Sequence, residues 1–159
     1  MPICEDIAYV RNKLSWMRSE RIWPNGRRYT WTDAFGVVLL VSLYAKTGEM
    51  RFLDEAEWVV AEVDRLLGRA RGIRIGEAPD RDGQYFHYLA MWLYALSVLA
   101  IYLPDYRRKG VGLVHQIHDA FVIPRLHSSY GNLFLGLPRL RGLWQAHGQD
   151  AVFKRGRNL

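Results

Sequence analysis

Two stretches of this chain, Ala34 to Ala45 (AFGVVLLVSLYA) and Gln84 to Leu103 (QYFHYLAMWLYALSVLAIYL), are apolar on every side when wound as helices. A chain folding in water tolerates such a helix only where neighbours surround it. The pattern therefore predicts two inner helices, roughly fifty residues apart, covered by outer ones. The outer helices are legible too. From Glu5 to Arg18, Ile7, Val10, Leu14 and Met17 recur at three- and four-residue steps, the spacing of one helix face. From Arg51 to Arg69, Phe52, Ala56, Val59, Val63 and Leu66 share a face, while Asp54, Glu57, Glu62, Asp64 and Arg65 lie elsewhere. After the break at Pro104 and Asp105, the residues Val114, Ile117, His118, Phe121 and Val122 predict a fifth helix, again outer, up to Pro124. Gly131, Gly136, Pro138 and Gly142 interrupt Leu126 to Leu143 and predict a short or broken helix, followed by another around Arg139 to His147. The expected fold class is all-α, with antiparallel helical hairpins in two layers. One domain over residues 1–159 is expected, irregular from 125 to 159.

The connections carry their own chemistry. Trp23-Pro24-Asn25-Gly26 is a turn, since proline fixes φ and Asn-Gly readily takes positive φ. Thr30 or Thr32 is placed to cap the second helix, with Asp33 in its first turn, where a carboxylate suits the helix dipole. Lys46-Thr47-Gly48 closes that helix. Gly72 to Gly83 (GIRIGEAPDRDG) has no periodicity and reads as a loop long enough to be functional. The run beginning at Gln84 approaches membrane-spanning length. His87 and the tyrosine hydroxyls argue instead for a buried bundle helix, and no membrane association is expected.

The lone cysteine, Cys4, excludes an internal disulfide and any cysteine-based zinc or redox motif, and a reducing compartment, the cytoplasm, is expected. Met1 to Asp6 carries two acids and no positive segment of the kind that opens a secretory signal. The net charge of +6 points towards anionic partners only if it is concentrated. Arg18, Arg21, Arg27, Arg28, Arg65, Arg69, Arg71, Arg74, Arg107 and Arg108 are scattered, and only Lys154 to Arg157 reads as a basic tail, so no nucleic-acid partner is expected. His115 and His118 stand three apart, His127 lies beyond a proline, and no carboxylate cluster joins them. No metal site and no cofactor are expected. The chain has no Walker-type phosphate loop.

The stretches WPNGRRYTWTDAFGVV, GIRIGE and DRDGQYFHYLAMWLYAL resemble the N-terminal half of proteins in the six-hairpin glycosidase-like superfamily, over about Trp23 to Pro124. The resemblance implies a partial (α/α)6 toroid. A complete ring has twelve helices, so a chain with five to seven would be a half ring or a fragment. It also implies glycoside hydrolysis of a carbohydrate ligand. In such a ring the loops entering inner helices share one mouth, bringing Asp33 towards the segment from Asp80 to His87. Hydrolysis needs one carboxylic acid and one carboxylate about 5 to 10 Å apart. Asp33, Glu77, Asp80 and Asp82 are the acids placed for it. Asp33, Glu77 and Asp82 are the candidate catalytic carboxylates, and His87 is a candidate proton carrier.

Each of these residues also has a plainer reading. Asp33 fits a helix N-terminal charge, Asp80 and Asp82 fit a polar turn, Glu77 fits a water-facing acid and His87 fits a core histidine. Tyr29, Trp31, Tyr85 and Tyr88 are the candidate substrate-binding residues, because apolar sugar faces pack on aromatic rings. Trp23 lies near the same mouth, and Trp92, at helical spacing, reads as core. The alternative function is a non-catalytic helical-hairpin module, pairing as a homodimer or with a partner protein through exposed inner helices.

Overall fold

The computed structural model describes residues 3–121 together with the short strand at 152–153. Five helices follow in order: α1 (Ile3–Ser19), α2 (Thr30–Thr47), α3 (Arg51–Leu67), α4 (Phe86–Leu99) and α5 (Asp105–Phe121). The protein is all-α in character. Its extended pieces are two residues each. β1 (Gly68–Arg69) and β2 (Gly72–Ile73) close a tight hairpin, with Gly68 opposite Ile73. β3 (Gln84–Tyr85) pairs antiparallel with β4 (Val152–Phe153), Gln84 opposite Phe153 and Tyr85 opposite Val152. The helices expected between Leu126 and His147, and the basic stretch Lys154 to Arg157, lie outside the described residues.

The packing follows from which side chains meet. α2 packs against both α3 and α4, and α4 packs against α5. The core is built from Val37 and Leu40 of α2, Phe52, Val59 and Val63 of α3, Leu89, Trp92 and Leu96 of α4, and Leu113 and Ile117 of α5. Polar ties join the outer helices to one another. Arg18 of α1 forks onto Glu55 of α3, Tyr106 of α5 donates to Glu57 of α3 at 3.2 Å, and Lys109 of α5 pairs with Asp64 of α3. The amphipathic face read in α3 is the one buried, and Trp92 is fully buried as core.

The structure corrects three sequence expectations. Neither threonine caps α2: Thr30 Oγ1 donates to the carbonyl of Arg74, and Thr32 Oγ1 to that of Tyr29. α4 stops at Leu99, and Ala100 to Leu103 tapers through tighter turns, with Ile101 N–H bonded to Val98 and Tyr102 N–H to Leu99. The inner helices are also not surrounded by the described residues. Phe35 on α2 and Phe86, Ala90, Tyr94 and Ser97 on α4 are exposed, the α4 residues at the three- and four-residue steps of a single stripe.

Candidate functional site: an aromatic mouth over a buried ion pair

The entry to α2 is organised by a group that does not show in the sequence. Arg28, only 3 % exposed, turns back into its own turn, and its Nη2 donates to the carbonyls of Pro24 and Gly26. Its Nη1 stands 3.2 Å from Asp33 Oδ1, an ion-pair contact without hydrogen-bond alignment. Asp33 is fully buried, accepting from Trp23 Nε1 at 2.9 Å and from the backbone N–H of Tyr29 at 3.2 Å. Burial raises its carboxyl above the usual carboxylate range, against the lowering pull of the Arg28 charge, the Trp23 bond and the Tyr29 bond. The indole of Trp23 lies across Gly36, where a Cβ would stand 2.0 Å from the ring, so the helix accepts the tryptophan only because position 36 has no side chain.

The loop before α4 is stitched to this turn. Tyr29 and Gly76 form a β-bridge, Thr30 N–H donates to Ile75, and Glu77 N–H donates to the carbonyl of Arg28. In return the Glu77 carboxylate accepts the N–H of Arg28 at 2.5 Å. The starts of α2 and α4 therefore share one mouth, as the sequence led us to expect.

At that mouth the candidate binding residues come together. Trp31 lies 5.5 Å from His87 and 5.1 Å from Tyr88 between ring centroids. Tyr85 stands 5.6 Å from His87 and 5.3 Å from Tyr88, and Tyr29 stands edge-on to Tyr88 at 5.6 Å with their hydroxyls hydrogen-bonded. Phe35 extends the cluster from Trp31 at 5.2 Å, and the Arg81 guanidinium covers Tyr29 at 4.9 Å. Tyr29, Trp31, Tyr85, His87 and Tyr88 are each half-buried, so one side of the cluster is packed and the other is open.

The acids are placed differently. Asp33 lies beneath the mouth with both oxygens engaged, and Glu77 binds backbone. Asp80 is exposed in the short 3-10 turn Pro79–Arg81. Asp82 is exposed and lies 3.1 Å from Arg69 and 3.8 Å from Arg74. Sequence reasoning missed Arg28 and Arg81. Nothing in a run of scattered arginines marks which one folds inward, although an arginine that follows a Pro-Asn-Gly turn has bare carbonyls within reach. Among the described residues, no three His, Cys, Asp or Glu side chains gather to hold a metal ion. No helix among them is long and apolar enough to cross a membrane. The chain matches no protein family, no curated protein and no solved structure.

Proposed function

We propose that this protein recognises carbohydrate through the aromatic mouth, as a two-layer segment of an (α/α) toroid of six-hairpin glycosidase-like type. The observation that carries the reading is the half-open cluster of Tyr29, Trp31, Tyr85, His87 and Tyr88. Sugar rings present C–H faces that stack on aromatic rings and hydroxyls that need partners. A cluster offering indole, phenol and imidazole groups together supplies both. The outer–inner alternation supports the toroid assignment.

Binding is better supported than hydrolysis. Acid–base cleavage needs two carboxyl groups that flank the scissile bond. Asp33 is sealed in its ion pair, Glu77 is engaged by the backbone, and Asp82 faces two guanidinium groups at the surface. Titration of the purified chain with soluble oligosaccharides, followed by calorimetry, tests the reading. Trp31→Ala is expected to weaken binding about tenfold, the loss of one good aromatic contact. Wild-type protein that binds no member of the panel overturns it. A hydrolytic role predicts that Glu77→Gln abolishes cleavage while leaving binding intact.

A second reading, association through the inner helices, is favoured by the stripe of Phe86 and Tyr94, which are 60 % and 54 % exposed. It runs on towards Ile101, Val111 and Val114, which line an apolar groove of about 310 Å³ between α4 and α5. Exposed apolar patches of this kind mark interfaces. Light scattering across a concentration series tests it.

A further inference from the structure

The rim of the aromatic mouth carries a cation that no acid among the described residues answers. Arg81 ends the short turn Pro79–Arg81, its N–H bonded to the carbonyl of Ala78 at 2.8 Å and its own carbonyl accepting the N–H of Gly76 at 3.2 Å. Its side chain lies down across the bridge that joins the two loops. At Gly76 an added Cβ would stand 3.2 Å from the Tyr29 ring and 3.3 Å from Arg81 Cδ, so bare backbone lets stem and ring close over it. The guanidinium rests 4.9 Å from the centre of the Tyr29 ring. Stacking holds a planar guanidinium in place and leaves the N–H groups at its edge to bond an anion.

Neighbouring charges are already engaged. Arg28 is paired with Asp33, Arg69 and Arg74 face Asp82, and Glu77 accepts the N–H of Arg28. Arg81 is exposed, and among the described residues no carboxylate stands within ion-pair distance of it. Asp80, next to it in the turn, is exposed to solvent and does not bond it. Since Arg81 occupies a face of Tyr29, stacking on a ligand falls to Trp31 and Tyr85, two ring contacts away through Tyr88. The mouth thus sets rings that suit a sugar face beside a fixed guanidinium without a counter-charge.

We propose that the sugar recognised at this mouth is acidic: it carries an oxyanion, a carboxylate or a sulfate ester, which takes two N–H groups of Arg81 while a sugar ring packs on Trp31 or Tyr85. The proposal rests on the carbohydrate reading of the mouth and names the residue that reads charge within it. Arginine suits the task because its planar fork meets an oxyanion with two parallel bonds.

Calorimetry on the full chain compares matched pairs: oligogalacturonate with its methyl ester, and a sulfated oligosaccharide with its desulfated form. In at least one pair the anionic member is expected to bind about fivefold more tightly at low salt, the upper range for an exposed charge pair, and that advantage should vanish at about 1 M salt. Arg81→Gln, at an exposed position, is expected to stay folded by circular dichroism, to bind both members of the pair equally and to leave affinity for the neutral member unchanged. The proposal is overturned if no pair favours its anionic member, if the preference persists undiminished at about 1 M salt, or if folded Arg81→Gln keeps it. Neutral sugars that bind with no gain from charge sink this proposal alone and leave the carbohydrate reading standing. A protein that binds neither these pairs nor the neutral panel sinks both.

Discussion

Asp33 shows how far apart a residue's chemical type and its role can lie. At the first turn of an apolar helix it reads equally as a helix charge or an active-site acid. The structure takes it out of solvent and sets it against Arg28, Trp23 and the backbone of Tyr29. Breaking a buried pair strands the remaining charge, so Asp33→Asn is expected to cost about 3 to 5 kcal/mol in denaturant unfolding. Replacing Arg28 and Asp33 together by apolar residues should recover much of that loss. The pH dependence carries a sign. Asp33's folded pKa lies above its unfolded value, so its own contribution to stability is largest in acid and falls as pH rises from the ordinary carboxylate range through the raised folded value. Asp33→Asn should lack that slope when unfolding is followed across acidic pH. Gly36 is the second test at this scale. With the Trp23 ring 2.0 Å from a Cβ, Gly36→Ala is expected to destabilise by about 1 to 3 kcal/mol, despite alanine's better helix propensity. The aromatic residues of the mouth were legible because loop–helix junctions of hairpins converge. Arg28 was not, since its burial depends on a turn folding around it.

For the helices, what the sequence made plain was existence and order. α3 has a polar side that water must keep, and its apolar steps name the buried face: Phe52, Val59 and Val63 are buried as that pattern requires. In α5 the face is turned from the one read in the sequence, since Leu113 and Ile117 are buried while Val114 and His118 are exposed. Ends were harder. α2 begins at Thr30 because its entry is held by bonds to Arg74, Ile75 and Gly76, long-range partners that local pattern does not carry. The attachment of α5 to α3 is equally invisible in sequence. It rests on Lys109 with Asp64 and on Tyr106 with Glu57. Burial and the negative charge of Glu57 push the Tyr106 hydroxyl up to about 12. Its folded pKa exceeds its unfolded one, so its stabilising contribution is complete below the ordinary tyrosine value and is lost as pH rises towards 12. Ultraviolet titration should show one late-ionising tyrosine that Tyr106→Phe removes, at a cost of about 1 kcal/mol.

For the molecule as a whole, the all-α character was readable while the covering of its two most apolar helices was not. Hydrophobicity on all sides of α2 and α4 states that a surface should be covered without stating by what. Among the described residues, α3 and α5 cover part of it, and the stripe through Phe86, Tyr94 and Ile101 stays open. If that stripe joins copies of the chain, Tyr94→Asp is expected to shift the solution mass to monomer without loss of helicity. If the mass is already monomeric, the substitution should leave it unchanged.

The short pairing of β4 with β3 has a practical side. Val152 lies opposite Tyr85, and only five residues separate Phe153 from Leu159. Whatever is appended after Leu159 is therefore tethered within about 20 Å of the strand that leads into the mouth. A bulky fusion partner there would crowd the platform it was meant to help study, whereas a single environment-sensitive dye at that position would act as a built-in reporter of its occupancy.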